Sequence, residues 1–262
     1  SDQEIEEIEN KISELGDLKE EVDGNPDLVP LIWEVAFAEV FRSKGGFDMV
    51  IGNPPYVRNE AIKPPNVDPN DVTKDLKNQY KSKLQDSIEE RIPQIEQVSG
   101  KSDLYIYFYL HGLSLVNDDG AFCFITSNSW MDVEYGKDLQ RFLCKYVPIH
   151  GIYMNMAKRS FEHADVNTAI SVFGAPNFEK SFKDSKRSKW PEMDSSAKFI
   201  RFEEDYRTAV NPETVIALEN TENAEKNKDY KLRGISREGV SFTQVTGDNS
   251  RMIEINQEEL LE

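Results

Sequence analysis

Cysteine and histidine are scarce in this chain of 262 residues, with two of the first and three of the second. None of the histidines stands at ligand spacing, and no His, Cys or carboxylate cluster suggests a metal site. No metal is therefore expected. The two cysteines, Cys123 in a strand-like run and Cys144 on a helix-like one, are expected as buried thiols of a reducing cytoplasm rather than as a disulfide. No run of 18 apolar residues occurs, which excludes a membrane-spanning helix. The segment Ser1 to Glu21 is acidic, unlike the basic and apolar opening of a secretory signal. Positive charge is also in deficit: 31 Lys and Arg face 48 Asp and Glu, a net charge of −17. Non-specific affinity for nucleic acid comes from cations on phosphates, so such a role requires charge that is segregated, or a cleft completed by other segments. Segregation is visible between Lys180 and Lys189, where Lys180, Lys183, Lys186, Arg187 and Lys189 outnumber Asp184; the alternative is a solvated loop.

What is present suffices for a core. Hydrophobic residues make up 38% and aromatic residues 10%, enough for one large domain or one and a half. The most informative stretch is Phe47-Asp48-Met49-Val50-Ile51-Gly52-Asn53-Pro54-Pro55-Tyr56-Val57-Arg58. Its apolar half reads as a buried strand, and two consecutive prolines, which cannot donate ladder hydrogen bonds, must end it. An amide and an aromatic ring are thereby fixed at a strand's carboxyl end, where ligand sites of open α/β sheets gather. The pair suits a planar group bearing an amine: the amide oxygen accepts from the NH2 and the ring stacks on the face.

Periodicity organises the rest. Ile5, Ile8, Ile12, Leu15 and Leu18 predict an amphipathic helix over Asp2 to Val22, a peripheral arm within residues 1–30. After the motif, Asn59 to Asn70 reads as a loop and Asp71 to Val98 as a polar helix that Pro93 ends or kinks. Ser102 is placed to cap a helix reaching Val116. A turn at Asn117-Asp118-Asp119-Gly120 leads into a strand over Ala121 to Thr126. A helix from Ser129 or Asp132 to Tyr146 and strands over Ile149 to Met154 and Thr168 to Phe173 follow. This alternation predicts a Rossmann-like α/β half-sheet with flanking helices. Beyond Pro176 the pattern loosens, with one strand expected at Lys198 to Phe202.

The tetrapeptide Asn53 to Tyr56 resembles the Asn-Pro-Pro-Tyr motif of adenine-specific DNA methyltransferases that use S-adenosylmethionine. The similarity extends from Leu31 to Phe173. It takes in Trp33-Glu34-Val35, Gly45-Gly46-Phe47-Asp48, Ser102 to Phe108, Gly120 to Trp130, Phe161 and Val166 to Phe173, in the order seen in fused type II restriction-modification enzymes. The resemblance implies a methyltransferase fold with a mixed sheet, partial here, with residues 31–176 as the catalytic half and 177–262 as the start of a target-recognition region or C-terminal extension. It implies that the Asn53 side-chain oxygen and the Pro54 carbonyl accept the two N–H bonds of an adenine amine, at the methyl side of the cofactor pocket. Tyr56 and Phe161 would sandwich the flipped base. Arg58, Lys183, Lys186 and Arg187 are candidate contacts to double-stranded DNA.

Neither a Gly-x-Gly cofactor loop nor its equivalent occurs before Asn53 or after Phe173, so a missing N-terminal part of the methyltransferase is an expected partner. Asp103 resembles a family position and is also placed to cap a helix; Ser127 and Asn128 are expected to line the cleft. Two alternatives stay open: a protein-glutamine or RNA methyltransferase using the same tetrapeptide, and a specificity or scaffold piece that binds DNA without turnover.

Overall fold

A computed structural model describes residues 31–65, 67–95, 97–156, 167–178, 196–204, 206–237 and 240–261. The N-terminal arm expected over Asp2 to Val22 lies outside them, as do Phe161, Lys183, Lys186 and Arg187. The chain divides into two units at Ser43/Lys44. In the first, a short helix α1 (Trp33–Ala36) stacks Trp33 on Phe37, ring centroids 5.6 Å apart, and α2 (Ala38–Lys44) follows it.

The second unit is built on one eight-stranded mixed sheet. Its strands are β1 (Phe47–Gly52), β2 (Val116–Ser127), β3 (Ile149–Asn155), β4 (Thr168–Gly174), β5 (Ser196–Phe202), β6 (Lys231–Arg237), β7 (Val240–Thr246) and β8 (Ser250–Asn256), in the spatial order β1-β2-β4-β3-β5-β8-β7-β6. β1 runs parallel to β2 and β3 parallel to β5; every other pairing is antiparallel. This is the mixed α/β architecture that the alternation of elements predicts. The carboxyl ends of β1, β2, β3, β5 and β7 and the amino ends of β4, β6 and β8 share one rim of the sheet: Ser127 is opposite Thr168, Met154 opposite Ala169, Asn155 opposite Phe202, Phe202 opposite Ser250, Arg251 opposite Thr246 and Thr246 opposite Lys231, while Gly52 ends β1 opposite Phe124, three residues before Ser127.

Helices cover opposite faces at the two ends of the sheet. On one face α3 (Lys74–Arg91), α4 (Leu104–Leu113) and α5 (Lys137–Tyr146) enclose the main core, with Ile88, Tyr109, Leu110, Phe122, Phe142, Ala169 and Phe173 all buried. Tyr109 sits at its centre, with ring centroids 5.5–6.5 Å from those of Phe122, Phe124, Trp130, Phe173 and Tyr105. On the other face α6 (Tyr206–Ala209), α7 (Pro212–Glu219) and α8 (Thr221–Lys226) bury Ile200, Phe202, Val245 and Met252. Asn211 and Asn220 cap α7 and α8 by accepting from Thr214 N at 3.0 Å and Asn223 N at 2.8 Å. Among the described residues no helix is long and apolar enough to cross a membrane.

Three local expectations are corrected. Asn117 to Gly120 is not a free turn: β2 begins at Val116 and passes through a register irregularity opposite Phe47 and Met49. The Asn117 amide donates to Asp48 Oδ1 at 2.8 Å, and a Cβ on Gly120 would come within 2.8 Å of Phe47 O, so the polar run is held against β1. The helix after Ser102 is shorter than expected, Leu104 to Leu113, and Asp103 makes no capping bond to it. The region beyond Pro176 contains four strands rather than one. Both cysteines are free but only half-buried, and burial raises each thiol, Cys144 to about 11.

Candidate functional site

β1 ends at Gly52, and the next four residues leave the sheet at its rim. Asn53 is exposed, Pro54 buried, Pro55 exposed and Tyr56 half-buried. The buried Pro54 fixes the turn, since its ring removes one backbone freedom and contributes no donor that would need a partner. Among the described residues, no hydrogen bond engages the Asn53 amide, and the residue is exposed, which leaves its oxygen and nitrogen available to a ligand. The Tyr56 hydroxyl reaches back under the rim and donates to Ile125 O of β2 at 3.2 Å; burial pushes its pKa up to about 12, so it stays a neutral donor. The ring is thus tethered at its tip beside the carboxyl end of β2.

The chain after the motif is tied to the start of α4 by two bonds. Leu104 N donates to Val57 O at 3.0 Å, and Asp103 Oδ1 accepts from Asn59 N at 2.8 Å. The other carboxylate oxygen, Oδ2, accepts from the Tyr135 hydroxyl at 2.7 Å, and burial raises that phenol to about 12. Asp103 therefore does not cap its helix: it holds the exit of the motif turn. Sequence reasoning offered the cap because a carboxylate next to a helix start is ambiguous; only the fold shows that Asn59 N lies nearer its reach.

Ser127 and Asn128 do lie at the same rim, but Ser127 is buried, and its Oγ accepts from Ser129 N at 3.2 Å and lies 2.7 Å from Ser129 Oγ. The Asn128 backbone is bonded to Asn167 O at 3.0 Å. They shape the wall of the rim and leave few polar atoms to a ligand. Arg58 is exposed just beyond the turn. Beneath the rim Tyr109 donates to Ser171 Oγ at 2.8 Å and lies 3.0 Å from Thr126 Oγ1, joining α4, β2 and β4 below the turn.

Comparison with known proteins identifies a family. Residues 1–161 match the model of the Eco57I restriction-modification methylase family. The type II methyltransferase M.BstVI of Geobacillus stearothermophilus is 27% identical over 152 residues, which are 58% of this chain and 23% of that protein. M.PaeR7I of Pseudomonas aeruginosa is 29% identical over 123 residues, 47% of this chain and 18% of that protein. This chain thus spans a minor part of the length of the curated relatives it matches. Among solved structures, the type IIG restriction endonuclease BpuSI is similar over 82% of this chain and 19% of its own, at 16% identity and a TM-score of 0.47. The family match covers more than half of the chain and contains the whole of β1 and the turn that follows it: this protein belongs to the Eco57I restriction-modification methylases.

Proposed function

We propose that this chain carries the methyl-transfer edge of an adenine-specific DNA methyltransferase of a restriction-modification system, in which residues 31–176 form the catalytic half of the domain and 177–262 an extension toward target recognition. The observation that carries the reading is the state of Asn53: an exposed amide at the carboxyl end of a strand, on a turn made rigid by the buried Pro54 and tied down on both sides. An adenine amine is a poor nucleophile, its lone pair being delocalised into the ring. Acceptance of its two N–H bonds by the Asn53 oxygen and the Pro54 carbonyl pulls the nitrogen toward tetrahedral geometry and aims the lone pair. S-adenosylmethionine, when bound, supplies the electrophilic methyl group, and the outward-facing Asn53 amide and the adjoining carbonyl fit the methyl side of its site. Positioning of this kind supplies much of the barrier reduction in a transfer that needs no covalent enzyme intermediate.

The open flank of β1 supports the reading of a catalytic half completed by further residues of a longer enzyme. β1 pairs with β2 alone among the described strands, and its Met49 and Ile51 are 62% and 72% exposed. Parallel strands are ordinarily covered on both faces. The adenosine side of the cofactor pocket would come from the completing segment. Calorimetric titration of residues 1–262 with S-adenosylmethionine is therefore expected to show binding weaker than micromolar, and tight binding by these residues alone would sink that part of the proposal.

The reaction is tested by digesting duplex DNA treated with the complete enzyme to nucleosides. N6-methyladenine is the expected product; label found only in RNA or in glutamine of a protein substrate would overturn it. Tyr56 is assigned to stacking on the extruded base, with Phe161 opposite. Tyr56→Phe keeps the ring and loses one bond to Ile125 O, so its effect on base capture is expected to be small, whereas Tyr56→Ala is expected to cost about 1–3 kcal/mol. The fluorescence of 2-aminopurine at the target position reports extrusion, and equal signals from parent and Tyr56→Ala would reduce the ring to a prop beneath the turn.

A further inference from the structure

A net charge of −17 opposes DNA binding unless cations are gathered somewhere, and the strands beyond Pro176 gather them. The register places partners of paired strands on the same face. Arg201 of β5 is opposite Arg251 of β8, Arg251 is opposite Thr246 of β7, and Thr246 is opposite Lys231 of β6. One step down the sheet on the same face come Arg233, Gln244, Ile253 and Phe199. All four cations are exposed. The helices α6, α7 and α8 lie on the opposite face, over Ile200, Phe202, Val245 and Met252, and the described residues leave the four cations on this face exposed. Carboxylates are concentrated under those helices instead, where Glu204, Glu213, Asp229 and Asp248 line one pocket. Among the described residues, the acid paired to the row is Glu203, 3.2 Å from Arg201 Nε.

The row also has a direction. It runs along the rim at which β1 delivers Asn53, since Arg201 is opposite Met154 of β3, Met154 opposite Ala169 of β4 and Ala169 opposite Thr126 of β2, two residues beyond the Phe124 that faces Gly52. Three strand spacings of ~4.8 Å separate Arg201 from Lys231, roughly 14 Å in all. Over that length one strand of B-DNA presents about four phosphates, at ~3.4 Å of axis per phosphate. We propose that Arg201, Arg251, Lys231 and Arg233 form a face that contacts the DNA sugar-phosphate backbone beside the target base, with Gln244 and Thr246 as uncharged donors between them. This deepens the function proposed above and rests on it for the identity of the partner. Charge complementarity carries the assignment: a polyanion meets four cations on one open face of an otherwise acidic protein. Contacts of this kind position the duplex and read no sequence.

The test uses the 262-residue chain and a 30-base-pair duplex of mixed sequence, with affinity followed by fluorescence anisotropy across a salt series. Lys231→Gln, Arg233→Gln and Arg251→Gln are combined in one variant; Lys74→Gln, Lys83→Gln and Lys101→Gln, exposed cations elsewhere, make a control with the same change in net charge. The face variant is expected to lose at least tenfold in affinity at moderate salt. Its plot of log K against log salt should be shallower by about 2.7, from ~0.9 per phosphate contact removed. The control should keep the parent slope, and both should melt with the parent. Equal slopes for face variant and parent, equal losses in face variant and control, or no binding by the parent would each overturn the proposal. Methyl transfer by Asn53→Ala in the complete enzyme separates the two readings, because the phosphate face makes no use of Asn53. Were the slope to flatten as predicted while Asn53→Ala retained methyl transfer in the complete enzyme, the phosphate face would stand and the catalytic assignment would fall.

Discussion

Asn53→Ala in the complete enzyme is expected to reduce methyl transfer by at least a hundredfold while leaving the melting transition where it was. The two halves of that result come from the same geometry. Asn53 is exposed and no hydrogen bond among the described residues ties its amide to the protein, so its removal orphans no donor; surface changes of this kind usually fall within about 0.5 kcal/mol. Its amide oxygen is instead assigned to a proton that becomes more acidic as the nitrogen attacks, a bond stronger in the transition state than in the ground state. Losses of single preorganised groups of that type cost about 10²–10³ in turnover. The effect should fall on kcat and kcat/KM together, since an interaction made mainly in the transition state is being removed. Turnover within tenfold of the parent, a loss under about 1.4 kcal/mol, would remove Asn53 from the chemistry.

That Asn53 was legible before any fold, while the cations of the far strands were not, has a physical cause. The motif declares itself because prolines forbid the ladder: strand, stop and turn follow from backbone covalent structure alone, and β1 indeed ends at Gly52. The helix α5 and the strands β3 and β4 were legible for a related reason, their apolar residues falling between breakers, and the polar helix α3 because Pro93 stops it. Asp103 was ambiguous because a carboxylate beside a helix start has two uses, and which one it takes depends on Asn59, distant in sequence, and on Tyr135. The strands after Pro176 were missed for the opposite reason. Arg251-Met252-Ile253 and Lys231-Leu232-Arg233 do alternate, with Leu232, Val245 and Met252 turned to one face, but Arg, Lys and Gln fill the other. A strand with one open face looks polar on average, and averaging over a window hides its period of two. Weighing alternation ahead of mean hydropathy would have found β6, β7 and β8, and with them the cation row. Phe161 and the basic run around Lys183, Lys186 and Arg187 lie outside the described residues, so their assignments rest on sequence alone.

Tyr109 is expected to give the largest loss of stability of any single truncation beneath the site, about 3–5 kcal/mol for Tyr109→Ala. The ring is fully buried, packs against five aromatic rings from α4, β2, β4 and the turn at Trp130, and carries a hydroxyl that bonds both Thr126 and Ser171. Its deletion leaves a cavity that six-membered neighbours cannot collapse into without leaving their own contacts, and leaves Ser171 Oγ, itself buried, without its donor. A folded domain has roughly 5–15 kcal/mol in hand, so the loss takes a large share of the total. Tyr109→Phe separates packing from polarity: it keeps the ring and abandons the two hydroxyls, for an expected cost of about 1–3 kcal/mol. The second variant matters for the site as well as for stability. Thr126 directly follows Ile125, whose carbonyl holds the Tyr56 hydroxyl, so the Tyr109 hydroxyl braces the strand end on which the stacking ring is tethered. Tyr109→Phe should therefore change base capture in the 2-aminopurine assay by no more than the small effect expected of Tyr56→Phe, at temperatures where the protein remains fully folded. Urea denaturation checks the stability: a midpoint for Tyr109→Ala within the range set by about 1 kcal/mol of the parent would show that the aromatic cluster closes over the gap, and that Tyr109 is not the pin joining α4 to the strands beneath Asn53.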